Sequence, residues 1–139
     1  MGMAGHGHYN EYLYNAFKEA VRYKGNLQFD WAENADRISY IYQQLEKEGW
    51  FEGQQNRQDF AFNLQKYTED IFMEYLADVS KKYPSYKKLA VAGGLFANVK
   101  LNQIINESGL YEAMFVCPAM GDSGVSLGAA MKGSIDIGS

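Results

Sequence analysis

The stretch that decides the fold class is residues 88–130, KLAVAGGLFANVKLNQIINESGLYEAMFVCPAMGDSGVSLGAA. Residues 89–92 form a short apolar run that ends at two glycines, which is typical of a strand buried on both faces. A second apolar run, residues 113–116, ends at Cys117 and Pro118, where the missing proline N–H stops a hydrogen-bond ladder. Apolar residues at helical spacing lie between the two runs and again after residue 124. The pattern predicts an α/β fold with a parallel βαβα unit, packed with several helices.

Each predicted strand of this unit is followed by a glycine turn. Gly93 and Gly94 follow the first strand, and residues 121–124, GDSG, follow the second. Ligands of open α/β sheets bind outside the carboxyl ends of the strands, where helix N-termini present N–H groups to an anion. Glycine lets the backbone approach a phosphate or a ribose without an intervening Cβ. We therefore expect a phosphate-bearing ligand at these turns, with the Asn98 amide returning towards the first of them.

Asp122 puts a carboxylate into the second turn, where it would repel a phosphate. A metal ion between Asp122 and the ligand would remove that conflict, because hard cations take carboxylate oxygens as ligands. Alternatively, Asp122 caps the following helix through a hydrogen bond to an N–H group of its first turn. The spacing alone leaves both interpretations open.

The rest of the chain is predicted to be mainly helical. We expect helices over residues 10–24, 38–48 and 58–82, and a short strand over residues 26–31, where apolar and polar residues alternate. A length of 139 residues suits one domain. Within it, residues 1–57 read as a helical and short-strand entry region, and residues 58–139 as a long helix followed by the βαβα core.

Composition excludes several function classes. The net charge is -4, which argues against nucleic acid or an anionic membrane as a partner. No apolar run is long enough to span a bilayer, and residues 1–9 lack the pattern of a signal peptide. Cys117 is the single cysteine, so no internal disulfide is expected. These features predict a cytoplasmic protein.

His6 and His8 are the two histidines of the chain and flank Gly7. In an extended backbone, alternate side chains share a face, so the pair could contribute two ligands to a metal. A closed metal site needs further ligands, and a flexible surface loop is the simpler interpretation.

Four blocks of the sequence resemble a known enzyme family. They are MGMAG (residues 1–5), DFAFNLQKYTEDI (59–71), LAVAGGLFANVKLN (89–102) and PAMGDSGVSLGAA (118–130). In this order they resemble the carbamoyltransferases of antibiotic and nodulation-factor biosynthesis, which belong to the actin-like ATPase superfamily. The resemblance implies that the chain is part of a larger carbamoyltransferase and forms the second lobe of its actin-like (ribonuclease H-like) domain.

The resemblance also implies site residues and a reaction. The cofactors would be ATP or carbamoyl-adenylate and a divalent metal, usually iron, and the carbamoyl group would pass to a small-molecule acceptor with a hydroxyl or an amine. Asp122 matches a metal ligand of the family. The positions that match its nucleotide-contacting and phosphate-side residues are Gly93, Gly94, Asn98, Gly121, Ser123 and Gly124.

The resemblance implies partners as well. The family's His-x-x-x-His metal ligands and first phosphate loop belong to a preceding lobe, and a C-terminal domain completes the enzyme. We therefore expect the isolated chain to be inactive and its uncovered apolar surface to favour a homo-oligomer. Two other functions fit the same motifs: an actin-like sugar kinase or threonylcarbamoyl-transfer relative, and a binding module without catalysis.

Overall fold

The computed structural model describes residues 2–30, 34–121 and 123–138, with the backbone alone at positions 34, 35 and 123. The chain divides into two compact units, residues 1–82 and residues 83–139. Each unit is described by itself.

The first unit consists of helices: α1 (Glu11–Ala20), α2 (Asn34–Lys47) and α3 (Gln54–Lys82), preceded by a short 3-10 helix (Ala4–His6). Asn10 begins α1, because its side-chain oxygen accepts a hydrogen bond from the Leu13 N–H at 3.1 Å. The structure contains the three helices predicted over residues 10–24, 38–48 and 58–82. Helices α2 and α3 each start four residues earlier than expected.

The core of this unit lies where the three helices meet. Its buried side chains are Leu13 and Phe17 of α1, Leu45 of α2, and Tyr67 and Ile71 of α3. Burying a large apolar side chain of this kind contributes about 1.5–3 kcal/mol, so this cluster helps to hold the three helices together.

Tyrosine hydroxyls join the elements around this core. Each of three hydroxyls donates to a carboxylate more than 30 positions away in the sequence, at 2.8–2.9 Å. These hydrogen bonds hold the three tyrosine rings in place at the surface of the first unit. The pairs are Tyr12 with Glu48, Tyr14 with Asp70, and Tyr23 with Asp78.

The strand predicted over residues 26–31 is wrong where the structure describes it. Asn26 and Leu27 have φ angles of 51° and 63°, and the Gln28 N–H donates to the Gly25 carbonyl oxygen at 3.0 Å. Two consecutive positive φ angles turn the chain sharply, as in a type I′ turn. The result is a tight hairpin with one antiparallel bridge, Tyr23↔Phe29, and the last predicted position, Trp31, lies outside the described residues.

The second unit contains the predicted βαβα order. It runs β1 (Lys88–Val91), a 3-10 helix (Gly94–Ala97), α4 (Val99–Glu107), β2 (Ala113–Val116) and α5 (Ser123–Asp136). Strands β1 and β2 pair in parallel, from Lys88↔Ala113 to Val91↔Val116. The chain is thus a mixed α/β protein that is mostly helical, and its described part contains one small two-stranded sheet.

Burial within this unit is uneven. Leu101 and Ile105 of α4 are 0% and 1% exposed, and Val91 of β1 is 8% exposed. By contrast, the α5 side chains from Val125 onwards are exposed, although most of them are apolar or small. A helix that is apolar on all sides usually packs against other protein. The surface of α5 is therefore the part of the second unit that most requires contact with other protein.

Helix α3 is the longest element, with 29 residues. Its buried side chains Tyr67 and Ile71 follow helical spacing, but acidic and basic residues occupy the other faces.

Over the ranges that the structure describes, no helix combines the length and the apolar character needed to cross a membrane.

Candidate functional site

The two strands of the second unit end at the same edge of the sheet. Val91 and Val116 are paired as the last residues of β1 and β2, and the Cys117 N–H donates to the Val91 carbonyl oxygen at 2.9 Å. Because the strands are parallel, the chain leaves both of them at this edge. The glycine turn after β1 and the segment that leads to the second turn therefore start side by side, as the sequence predicts.

The first turn has a backbone conformation that requires glycine. Gly93 has φ 102° and ψ 160°, a combination that L side chains rarely adopt. No atom lies within 4 Å of the position that a Cβ would take on Gly93 or Gly94. The peptide groups of this turn therefore border open space, where a ligand can approach the backbone closely.

Asn98 caps α4. Its side-chain oxygen accepts a hydrogen bond from the Leu101 N–H at 3.1 Å. The helix expected directly after the glycines begins only at Val99, after the 3-10 helix Gly94–Ala97 and the Asn98 cap. The Asn98 oxygen is thus committed to the helix, and the predicted contact of its amide with a nucleotide stays a prediction.

Asn102, one helical turn beyond Asn98, was not among the predicted site residues. Its side-chain nitrogen donates to the Phe96 carbonyl oxygen at 2.8 Å, which fastens the 3-10 helix to α4. Its side-chain oxygen is buried and accepts no hydrogen bond. An acceptor buried in this way costs about 1–3 kcal/mol. The sequence offered no signal for this role beyond a polar residue within the helix predicted after the glycines.

The second turn leads into α5. The Gly124 N–H donates to the Gly121 carbonyl oxygen at 2.9 Å, and a Cβ on Gly124 would lie 2.2 Å from the Ala119 carbonyl oxygen. Position 124 therefore accepts only glycine without a backbone shift. Asp122 lies outside the described residues, as does the side chain of Ser123, which is the first residue of α5.

His8 is tied to α3 in the first unit. Its backbone N–H donates to Asp59 Oδ1 at 2.7 Å, and its ring Nδ1 lies 3.1 Å from Gln55 Nε2 and 3.4 Å from Asp59 Oδ1. Partial burial raises the pKa of Asp59, but hydrogen bonds from the His8 N–H and the Gln55 amide outweigh it and hold that pKa below its usual value. The backbone of His8 is therefore anchored, unlike that of a free surface loop.

Asn63 of α3 attaches the chain around His8 to α3. It is 0% exposed, its oxygen accepts from the Asn10 N–H at 2.9 Å, and its nitrogen donates to the carbonyl oxygens of His8 and Asp59 at 2.9 and 2.8 Å. A Cβ on Gly7 would lie 2.1 Å from the Gln58 carbonyl oxygen, so the chain there runs directly against α3. Sequence reasoning missed this clamp, although Asn63 lies at helical spacing within the apolar stripe of α3.

No metal centre is formed by the residues in the described ranges, where no three His, Cys, Asp or Glu side chains lie close enough to hold an ion. His6 and His8 do not form one there. The predicted metal ligand Asp122 falls outside those ranges, so its role stays a prediction.

The sequence profile of the family described as "Carbamoyltransferase N-terminus" matches residues 1–131. The chain belongs to this carbamoyltransferase family. The resemblance inferred from the four sequence blocks is confirmed at the level of the family.

Known proteins support the same assignment. The chain is 34% identical to an uncharacterized protein of Methanocaldococcus jannaschii over 139 residues, covering 98% of this chain and 22% of that protein. It is 36% identical to nodulation protein NolO of Bradyrhizobium diazoefficiens over 95 residues, covering 68% and 17% of the two chains. It is also 36% identical to nodulation protein NolNO of Sinorhizobium fredii over 84 residues, covering 60% and 12%. The chain thus spans about a fifth or less of the length of these relatives.

Proposed function

We propose that this chain is the nucleotide-facing part of a carbamoyltransferase and forms one lobe of an actin-like domain. It would bind ATP or carbamoyl-adenylate during transfer of a carbamoyl group to a hydroxyl or amine acceptor. Membership of the carbamoyltransferase family supports the reaction class. The observation that carries the assignment to this part of the chain is the parallel pairing of Val91 with Val116, which starts both turns at one edge.

The first turn is proposed to hold the nucleoside. Gly93 and Gly94 leave their peptide groups open to a ligand, and Asn98 fixes the start of α4 directly beyond them. The N-terminus of α4 carries a partial positive charge, which favours a phosphate at the same edge of the sheet.

The second turn is proposed to face the phosphates. Gly121, Ser123 and Gly124 would line the phosphate side of the site, since α5 begins at Ser123. The N–H groups of Gly121 and Ser123 would be the donors, because the Gly124 N–H is bonded to the Gly121 carbonyl oxygen. The close approach of Gly124 to the Ala119 carbonyl oxygen supports a fixed geometry at the start of α5.

Asp122 is proposed as one ligand of a divalent metal, iron by resemblance to the family. The described part of the chain supplies no group of three metal-ligating side chains around which such an ion would fit. The remaining ligands would have to come from other parts of a larger enzyme, so no reaction step is assigned to the metal.

The exposed helix α5 supports the proposal that further protein completes the enzyme. Val125 is 77% exposed, Met131 60% and Ile135 73%, which is a large apolar surface for one helix. We propose that a preceding lobe and a C-terminal domain complete the cleft, and that a chain without them turns nothing over. Such a chain would associate with itself through α5; a strict monomer at high concentration in sedimentation equilibrium would contradict this.

Titration of the ¹⁵N-labelled chain with ATP tests nucleotide binding. Because half of the cleft is proposed to be absent, we expect binding in the millimolar range, with shifts confined to the amides of the two turns. No shift at Gly93 or Gly94 at 10 mM ATP, a concentration of about the expected dissociation constant, would contradict the proposal. Tight micromolar binding would contradict the need for further protein.

A further inference from the structure

A chain of hydrogen bonds connects the first glycine turn to Asn102. The Phe96 N–H donates to the Gly93 carbonyl oxygen at 3.0 Å, and the Asn102 side-chain nitrogen donates to the Phe96 carbonyl oxygen at 2.8 Å. Asn102 therefore lies two hydrogen bonds away from the turn at which the nucleoside is proposed to bind.

The orientation of the Asn102 amide follows from its partner. Exchanging its nitrogen and oxygen would bring the side-chain oxygen against the Phe96 carbonyl oxygen, and two acceptors repel each other. The side-chain oxygen is therefore the atom that is buried without a hydrogen bond. Such an oxygen is satisfied by any N–H or O–H donor that can reach it.

We propose that the Asn102 side-chain oxygen accepts a hydrogen bond from a donor of the bound nucleoside, a ribose hydroxyl or the amino group of adenine. The inference rests on the proposed function and adds to it a residue that selects the nucleoside. A polar site that hydrogen-bonds a hydroxyl or an amine rejects analogues without it, because its own buried group is then left unpaired.

The donor reaches this oxygen through movement of the 3-10 helix Gly94–Ala97. The oxygen is covered in the ligand-free protein, and the nitrogen of the same side chain is hydrogen-bonded to Phe96 of this helix. The segment is suited to a shift, because it has four residues, of which Gly94, Leu95 and Ala97 are exposed. Binding of a nucleoside thus exchanges an unsatisfied acceptor for a paired one.

The experiment compares four nucleosides by ¹⁵N NMR titration of the full chain: adenosine, 2′-deoxyadenosine, 3′-deoxyadenosine and purine riboside, which lacks the 6-amino group. The analogue that lacks the donor should bind the unmodified protein about 10-fold more weakly than adenosine. Asn102→Ala should abolish this difference. Asn106→Ala, an exposed position of the same helix, is the matched control and should leave the difference unchanged.

Three results overturn the inference. Equal binding of all four nucleosides to the unmodified protein would show that the protein recognises neither a ribose hydroxyl nor the adenine amino group. A difference that persists in Asn102→Ala would assign the selection to another residue. A water molecule that stays bound at the Asn102 side chain under saturating adenosine would show that solvent is its partner. In these cases adenosine still binds at Gly93 and Gly94 and the proposed function survives, whereas the absence of any binding there overturns both.

Discussion

The Cys117 backbone N–H donates a hydrogen bond to the Val91 carbonyl oxygen at 2.9 Å, one position beyond the last residue of β2. This bond extends the parallel ladder one position beyond β2. The chain that enters the second glycine turn is therefore attached to the end of the strand that precedes Gly93. The account of nucleotide binding depends on this attachment.

Gly93 and Gly94 form a matched pair for separating backbone strain from ligand access. Gly93→Ala should destabilise the second unit by about 1–3 kcal/mol, because its φ of 102° strains any L side chain. Gly94→Ala should leave stability within about 1 kcal/mol, since its backbone tolerates a Cβ, but should weaken ATP binding because the methyl group enters the open space of the turn. Amide hydrogen exchange in α4 and an ATP titration measure the two effects. Equal stability of both variants would contradict the assigned conformation of Gly93.

Gly124 and Gly128 test the packing at the start of α5. A Cβ on Gly124 would lie 2.2 Å from the Ala119 carbonyl oxygen, whereas one on Gly128 would have no atom within 4 Å. Gly124→Ala should cost about 1–3 kcal/mol. Gly128→Ala should gain up to about 1 kcal/mol, since alanine favours a helix over glycine. Urea unfolding followed by the amide signals of residues 123–136 compares them, and a neutral Gly124→Ala would show that the loop before α5 yields freely.

Asn63 should dominate the attachment of the N-terminal segment to α3. Asn63→Leu leaves the Asn10 N–H and the His8 carbonyl oxygen without their partner and should cost about 1–3 kcal/mol. The control is Asn56→Ala, which removes one exposed hydrogen bond to the Gly49 carbonyl oxygen and should change stability by less than about 0.5 kcal/mol. Both tryptophans lie within residues 1–82, so urea unfolding followed by their fluorescence reports on this unit. Similar losses in the two variants would contradict the clamp.

Tyr14 should make the first unit less stable at high pH. Burial, together with the hydrogen bond to the Asp70 carboxylate, raises the pKa of Tyr14 to about 12. In the unfolded chain a tyrosine has a pKa of about 10, so the folded state keeps a proton that the unfolded state releases. The stability that the folded state gains from the protonated Tyr14 hydroxyl is fully present below about pH 10. It is lost as the pH rises from about 10 to about 12.

The measurement for Tyr14 is the free energy of unfolding from about pH 9 to about pH 12, an interval that spans the two pKa values. Tyr14→Phe should show a shallower decline than the unmodified chain. Tyr86→Phe is the control, because the Tyr86 ring is 72% exposed. An unchanged slope in Tyr14→Phe would show that this hydroxyl does not supply the effect.

The sequence predicted the second unit well because its strands and turns are determined locally. Residues 113–116 form β2 as expected, and β1 is displaced by one position from residues 89–92. An apolar run that ends at glycine or proline leaves few alternatives to a strand. The expected burial on both faces was wrong, because alternate residues of β1 and β2 are exposed, Phe115 by 63%. The parallel pairing also followed from the sequence, since a helix joins the two strands.

The errors arose where one residue type fits two structures. The alternation around Leu27 and Phe29 is compatible with a strand, but positive φ angles at Asn26 and Leu27 make it a turn. Asn98 shows the same ambiguity, because its oxygen caps α4, while its predicted contact with a nucleotide stays a prediction. The buried contacts of Asn63 and Asn102 depend on segments that the local pattern does not bring together, so periodicity could mark these residues but could not identify their partners.

The most direct test of the central claim asks whether one ligand lies beside both turns. An ATP analogue that carries a nitroxide on its γ-phosphate is added to the ¹⁵N-labelled chain, and the broadening of each amide signal is measured. The account predicts that Gly93 and Gly94 broaden together with Gly121 and Gly124, while the amides of residues 108–112, at the opposite end of the two strands, broaden less. Broadening at one turn without the other would contradict a shared nucleotide site at the ends of β1 and β2.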